Sequence, residues 1–253
     1  MFRHADRSLI STGVLVILLL LGAADVARAD APMRFVLNEA QAAPLVLYEG
    51  DKPIGGIVYD IGKALSAAIG IPIQFVNLPR KRIDAAAIAG DIDLRCYLNP
   101  AWTQFADQYV WSDVLFDVSD VLVGGEQVPA LKSLADLPDK TRITTVLGYI
   151  YPTLAPLFES GHAIRDDAAD QEKVLLMVSG GRNPYAVSNS LGLAWYQRIT
   201  PRHFLAPWRL ELSHYDVSCA VPKQGAIPAA KINDALAKLK KDGEIEKILA
   251  RYR

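Results

Sequence analysis

Between Arg34 and Leu98 the sequence alternates between two hydrophobic periods, and few folds satisfy that order. Arg34-Phe-Val-Leu37 is a short apolar run that stops at Asn38-Glu39, and it reads as a strand. Over 56–69, Ile57, Ile61, Leu65 and Ala68 share one helical face, and Gly70 follows as a C-cap. Residues 71–78 form a β-branched and aromatic strand. Pro79 opens a helix that runs to Ala89 and is ended by Gly90, and 92–98 are a third strand. The β-α-β-α-β order implies parallel strands with right-handed crossovers, hence an α/β architecture.

A second cycle follows. Residues 118–123, 141–147 and 185–188 read as strands, and 152–159 and 171–178 as helices. Residues 214–221 give a further strand, and 229–239 a helix with Ile232, Leu236 and Leu239 inward. Gly243 stops it before a short last helix over 244–252. Gly124-Gly125 and Gly180-Gly181 read as turns, and Trp111 and Trp195 as core. Two α/β units without a flexible linker fit two lobes that share crossover strands.

The first residues predict export. Arg3 and Arg7 precede an apolar stretch from Leu9 to Ala24, and Ala27-Arg28-Ala29 offers small residues for cleavage after Ala29. The stretch is short for a bilayer span, which takes about 20 apolar residues. No cysteine follows it for lipid attachment, and no later run is long enough to span. The expected location is therefore the periplasm, without stable membrane insertion. With 27 basic and 28 acidic residues, the chain lacks the clustered positive field of a nucleic-acid binder. Its cysteines are Cys96 and Cys219. In an oxidising compartment such a pair reads first as a disulfide, with two buried thiols as the alternative.

In open α/β sheets, ligands bind beyond the carboxyl ends of the strands. That places Asn38 and Glu39 after strand one, and Arg80, Lys81 and Arg82 after strand two. Tyr97, Asn99 and Trp102 follow strand three. In the second unit come Gly148, Tyr149 and Tyr151, then Ser188 and Asn189. Aromatic rings, hydrogen-bonding groups and fixed positive charge suit a small polar molecule with a flat, apolar or anionic part. Basic side chains at a helix start oppose its dipole, which favours a functional reason for them. His4, His162, His203 and His214 are scattered, and no zinc-binding spacing, nucleophile elbow or phosphate loop is present. No metal, cofactor or catalytic residue is expected.

These residues also carry a resemblance. Gly56-Ile-Val-Tyr-Asp-Ile-Gly-Lys-Ala-Leu, Ala89-Gly-Asp-Ile-Asp, Val110-Trp-Ser-Asp, Ser133-Leu-Ala-Asp-Leu, Gly181-Arg and Ile232-Asn-Asp-Ala-Leu-Ala-Lys-Leu-Lys-Lys-Asp-Gly stand in the order found in one family. Nearly end to end, the chain resembles the extracellular solute-binding proteins of family 3, most of which serve polar-amino-acid ABC importers. The resemblance implies a two-lobed, type II periplasmic-binding-protein-like fold that closes on its ligand like a hinge. Residues 1–29 are then the signal peptide, 30–115 with 215–253 lobe one, and 116–214 lobe two. The crossovers fall near 115–118 and 212–216. The family's strand order sets the returning strand antiparallel beside the third one, which puts Cys96 and Cys219 opposite each other.

The family's clamps for an amino acid are changed. Phe105 stands where an arginine holds the carboxylate, Asn189 where an aspartate holds the ammonium, and Gly148-Tyr-Ile-Tyr151 replaces a Gly-Thr/Ser loop. Losing those charge-assisted bonds argues against a zwitterionic amino acid held in the family's way. The resemblance implies a monomer that delivers a small molecule to an ABC permease or a sensor. The rival is a dehydratase of the prephenate or arogenate type on the same scaffold, with Glu39 as acid and Arg80 as carboxylate anchor.

Overall fold

The computed structural model describes residues 31–38 and 41–253. The basic and apolar leader, its cleavage position after Ala29, and Glu39 lie outside the described residues. Strand β1 (Met33–Asn38) leads through a hairpin of β2 (Leu47–Glu49) and β3 (Lys52–Gly55) to helix α1 (Ile57–Ile69). Then come β4 (Ile73–Leu78), α2 (Arg80–Ile88), β5 (Leu94–Leu98) and β6 (Tyr109–Trp111). The middle of the chain holds β7 (Phe116–Gly125), β8 (Thr141–Val146), α3 (Ala155–Glu159), β9 (Ala163–Ala168), α4 (Gln171–Ser179), β10 (Tyr185–Asn189) and α5 (Ser190–Ile199). The chain ends with β11 (Leu205–Pro222), α6 (Ala229–Lys241) and α7 (Glu244–Ala250).

Among the described residues one nine-stranded sheet runs in the order β4-β1-β5-β11-β7-β10-β8-β9, with β6 also paired to β11. Strand β1 is parallel to β4 and β5, as the alternating periods predict, and β8 is parallel to β10 and to β9. The junction is antiparallel. The first part of β11 pairs with β7, and its last residues pair with β5 and β6. One strand thus stitches the two α/β halves together.

Local chemistry explains the docking of the first half. Helix α1 buries Ile57, Val58, Ile61 and Leu65, and Gly70 ends it in the left-handed conformation (φ 72°). Gly56 enters that helix at φ 107°, where a Cβ would lie 2.6 Å from the Leu45 carbonyl oxygen. Its N–H donates to the Tyr252 hydroxyl at 2.8 Å, and that hydroxyl donates to Asp60 at 2.7 Å. The C-terminus is thereby tied to the start of α1. Asp93, only 1% exposed, accepts from the backbone and guanidinium of Arg34 and from the Ala226 N–H. Burial alone raises its pKa, but these bonds outweigh it and hold the carboxyl below its usual range.

Several expectations shift. Strand β11 begins at Leu205, not His214. Trp208, Leu210 and Leu212 alternate inward with exposed Arg209 and Glu211, a half-buried pattern that Pro207 and the charges hide. Gly124-Gly125 closes β7 and is no turn; a Cβ on Gly124 would lie 2.5 Å from the Trp208 ring. Helix α3 starts three residues later than the periodicity suggests, at Ala155. Strand β9 and helix α5 were not anticipated. Ala163–Ala168 is a polar edge strand, and α5 is capped by the Asn189 side chain, which accepts from the Gly192 N–H at 2.7 Å.

Cys219 pairs in register with Cys96, their Cα atoms 4.0 Å apart, and the two form a disulfide. The bond closes a sequence separation of 123 residues, which removes freedom from the unfolded chain. Replacing both cysteines with alanine is therefore expected to lower the unfolding free energy by about 2–4 kcal/mol. Chemical denaturation of the oxidised parent and the double variant measures this, and equal stability would contradict it.

Candidate functional site

The two halves meet along β7 and β11. Phe116 and Val118 belong to the first hydrophobic core, whereas Val121, Leu122 and Val123 belong to the cores of the second half. Between them, on the same strand face as Val118 and Leu122, stands Asp120. It is half-buried, and opposite it in register are Ser213 on β11 and Asn189 on β10. The Ser213 hydroxyl donates to its carboxylate at 3.3 Å. Among the described residues Asp120 has no ion-pair partner. Burial pushes its pKa up to about 6, only partly offset by Ser213.

Tyrosines gather around that carboxylate. Tyr97 lies near the end of β5, one residue beyond the disulfide, with its backbone at φ 62°. A side chain in the left-handed region costs roughly 1–3 kcal/mol and tends to occur where function requires it. The Tyr97 hydroxyl lies within electrostatic reach of Tyr149 and Asp120; burial first, then those two neighbours, raise its pKa. Burial likewise raises the pKa of Tyr149, while the nearby positive charge of Arg80 lowers it and Asp120 raises it. Tyr151 is buried, with its ring centroid 6.4 Å from that of Tyr149. Its hydroxyl accepts from the Val146 N–H at 3.2 Å, and the Arg165 guanidinium lies 5.7 Å from its ring centroid.

Tyr97 and Tyr149 thus lie within electrostatic reach of each other and of Asp120, Tyr151 stands beside Tyr149, and Arg80, exposed at the start of α2, lies within reach of Tyr149. Trp102 adjoins them, its ring centroid 5.9 Å from Tyr97 and 5.2 Å from Tyr215. A small cavity separates the turn at 42–45 from the segments that carry Tyr149, Gln171 and Asn189. Asn189 borders it, but its side chain already caps α5 and donates to Gln171 at 3.4 Å. Asn99 is likewise engaged, donating to the Asp216 carbonyl at 2.8 Å and accepting from the Ala101 N–H. Arg82 is exposed in the first turn of α2, and Phe105 is 42% exposed before a short helical turn at 106–108. No contact draws either of these two into the group.

Asp120 escaped the sequence reading. A signal was present: in Phe116-Asp-Val-Ser-Asp-Val-Leu-Val123 a strand period of two puts Asp120 on the face of Val118 and Leu122. On the opposite face Ser119 donates to Glu211 at 2.8 Å and lies 3.2 Å from the His214 ring nitrogen Nδ1. Among the described residues no group of three or more His, Cys, Asp or Glu is placed to hold a metal ion. No described helix is long and apolar enough to cross a membrane.

A family model, bacterial extracellular solute-binding proteins, family 3, matches residues 35–253. An ancestral cationic amino acid solute-binding protein superposes with a TM-score of 0.71 at 20% identity, over 87% of this chain and 95% of its own. An ancestral amino acid-binding protein described as a precursor of cyclohexadienyl dehydratase gives 0.68 at 19% identity, over 87% and 95%. The substrate-binding protein of an amino acid ABC transporter gives 0.63 at 18% identity, over 88% and 99%. At these identities the likeness concerns the fold, which is mixed α/β and periplasmic-binding-protein-like. No curated protein matches the sequence.

The unpaired carboxyl has a consequence for stability. Its folded pKa, about 6, lies above the value near 4 of an unfolded aspartate, so its favourable contribution is complete at low pH and is lost as pH rises through 6. Asp120→Asn, neutral throughout, should therefore stabilise the ligand-free protein at pH 7.5 by about 1–3 kcal/mol. The gain should vanish near pH 4. Denaturation curves at the two pH values check both the sign and the pH trend.

Proposed function

We propose a function from one premise: the chain belongs to the bacterial extracellular solute-binding proteins, family 3. In this reading it is a periplasmic receptor that captures a small polar molecule with an anionic or aromatic part. It passes that molecule to an ABC importer, or to a sensor, and carries out no chemistry itself. Residues 30–115 with 215–253 act as one lobe and 116–214 as the other, with β7 and β11 as the hinge. An open form is populated, and ligand contacts both lobes only on closure. The protein works as a monomer after the leader has been removed.

One observation carries this reading. Tyr97 at the end of β5 and Tyr149 after β8 both lie within electrostatic reach of Asp120 on β7, and Arg80 lies within reach of Tyr149. Among the described residues neither Asp120 nor Arg80 has an ion-pair partner, which supports this reading. Convergent rings and a few polar groups in a cleft are what a small-molecule site requires. Arg80, or Arg82 on another face of the same helix, supplies the anchor for an anionic group, because Phe105 has no charge to offer. Tyr149 stacks on the flat part.

A second reading, a dehydratase, is favoured by the raised pKa of Asp120, which suits proton transfer near neutral pH. Native mass spectrometry of protein taken from its own host separates the two. A retained molecule of constant mass supports binding, and its conversion on incubation supports the enzyme. With that molecule in hand, changing Arg80 and Arg82 together to Gln is expected to weaken binding by about 1–3 kcal/mol. Tyr149→Leu should preserve the fold and also lower affinity. Calorimetric affinities equal to the parent's in both variants would remove the cleft assignment.

A further inference from the structure

Charges on an edge strand such as β9 ordinarily keep other strands from pairing with it. Arg165 and Asp167 do more than that. Two residues apart, they share one face of β9, opposite Ile143 and Thr145 in register. Their side chains are 31% and 29% exposed, so most of each is turned onto the protein. The Arg165 Nη2 donates to the Val146 carbonyl at 3.1 Å and to the Tyr149 carbonyl at 2.9 Å. Its Nε donates to Asp167 at 2.8 Å, and the Thr145 hydroxyl donates to the same carboxylate oxygen at 2.7 Å. One guanidinium thus ties both ends of the turn 146–149 to β9. Little else fastens that turn from outside. Leu147 and Ile150 are 66% and 83% exposed, so neither anchors it in a core. Gly148 stands at its corner in the left-handed conformation (φ 77°) with nothing within 4 Å of a Cβ position. Tyr149 itself is half-buried: it packs on the cores of the second half and borders the small cavity beside the turn at 42–45.

We propose that Arg165 is a positioning residue for the ligand cleft: it holds the 146–149 turn, and with it the Tyr149 ring, in place against the cavity before any ligand arrives. Asp167 acts through it, by orienting the guanidinium. A turn with so few buried contacts opens locally unless charged hydrogen bonds hold it. A wall fixed in advance spares the ligand the cost of ordering it. Lysine does not replace arginine here, because an ammonium lacks the flat fork that meets two carbonyls and a carboxylate while lying over the Tyr151 ring. The inference rests on the reading that Tyr149 lines the cleft, and adds how that side of the cleft keeps its shape.

The test uses the full mature chain without ligand, and chymotrypsin as the probe, because it cuts after leucine and tyrosine and so reports opening at Leu147 and Tyr149. Mass spectrometry locates each cut and gives its rate. Arg165→Met keeps the apolar stem, and it is expected to be cut within the turn roughly tenfold faster than the parent, or more. Cuts elsewhere in the chain should keep the parent's rates. Arg165→Lys should resemble Arg165→Met, and Asp167→Asn should be cut in the turn roughly threefold faster than the parent. The double variant should be cut no faster than Arg165→Met, because Asp167 acts through Arg165. Parent-like cutting of the turn in Arg165→Met overturns the positioning role. So does a rise shared by every cut site, the mark of a merely structural residue, or a double variant whose increase is the product of the two single ones. Should Arg165→Met not fold, Asp167→Asn decides alone: faster cutting confined to the turn supports the role, and parent-like cutting overturns it. Because no ligand takes part, failure here leaves the cleft reading standing; that reading falls on the affinity of Tyr149→Leu.

Discussion

The antiparallel ladder between β7 and β11 is the constraint on which the rest depends. It runs from Leu205 opposite Gly125 to Val217 opposite Phe116, and the other strands of the nine-stranded sheet attach on one side of it or the other. In this chain the parallel strands of the two halves are joined only through this antiparallel return. The last residues of β11 then pair with β5, and the Cys96–Cys219 bond fixes that pairing covalently. A chain that leaves the first half after β6 is thus compelled to come back beside its starting point. The junction is thereby held both by strand pairing and by a covalent bond.

Into that junction the sequence puts groups that do not help folding. Asp120 interrupts an otherwise apolar strand face and finds only a serine hydroxyl. Tyr97 holds a backbone conformation that most residues avoid. Asp93 shows the contrast: it is more deeply buried, yet it is surrounded by Arg34 and backbone donors and is fully compensated. One carboxylate is part of the architecture, whereas the other has no ion-pair partner among the described residues. Strain and unpaired charge concentrated at one place are the usual mark of a site that trades stability for binding.

Much of this was legible in the sequence, for identifiable reasons. The β-α-β-α-β order follows from residues such as Ile57, Ile61 and Leu65, whose spacing allows only a buried helical face. The cysteine pair followed from family strand order, and the tyrosines from the rule about strand ends. The N-terminal part of β11 was hidden because a half-buried strand needs only alternate apolar residues, and Pro207, Arg209 and Glu211 fill the gaps. Asn99 and Asn189 stand at the expected places, but their side chains serve as caps, a use that strand-end position cannot reveal. The strand-end rule does not reach Asp120, which sits within a strand, at the crossing of the two halves.

The most direct test of the central claim is small-angle X-ray scattering of the purified chain, stripped of bound molecules and then saturated with the molecule it retains in its host. Capture between two hinged lobes predicts a smaller radius of gyration in the saturated protein than in the stripped one. Superimposable scattering curves at saturation would contradict a closing cleft.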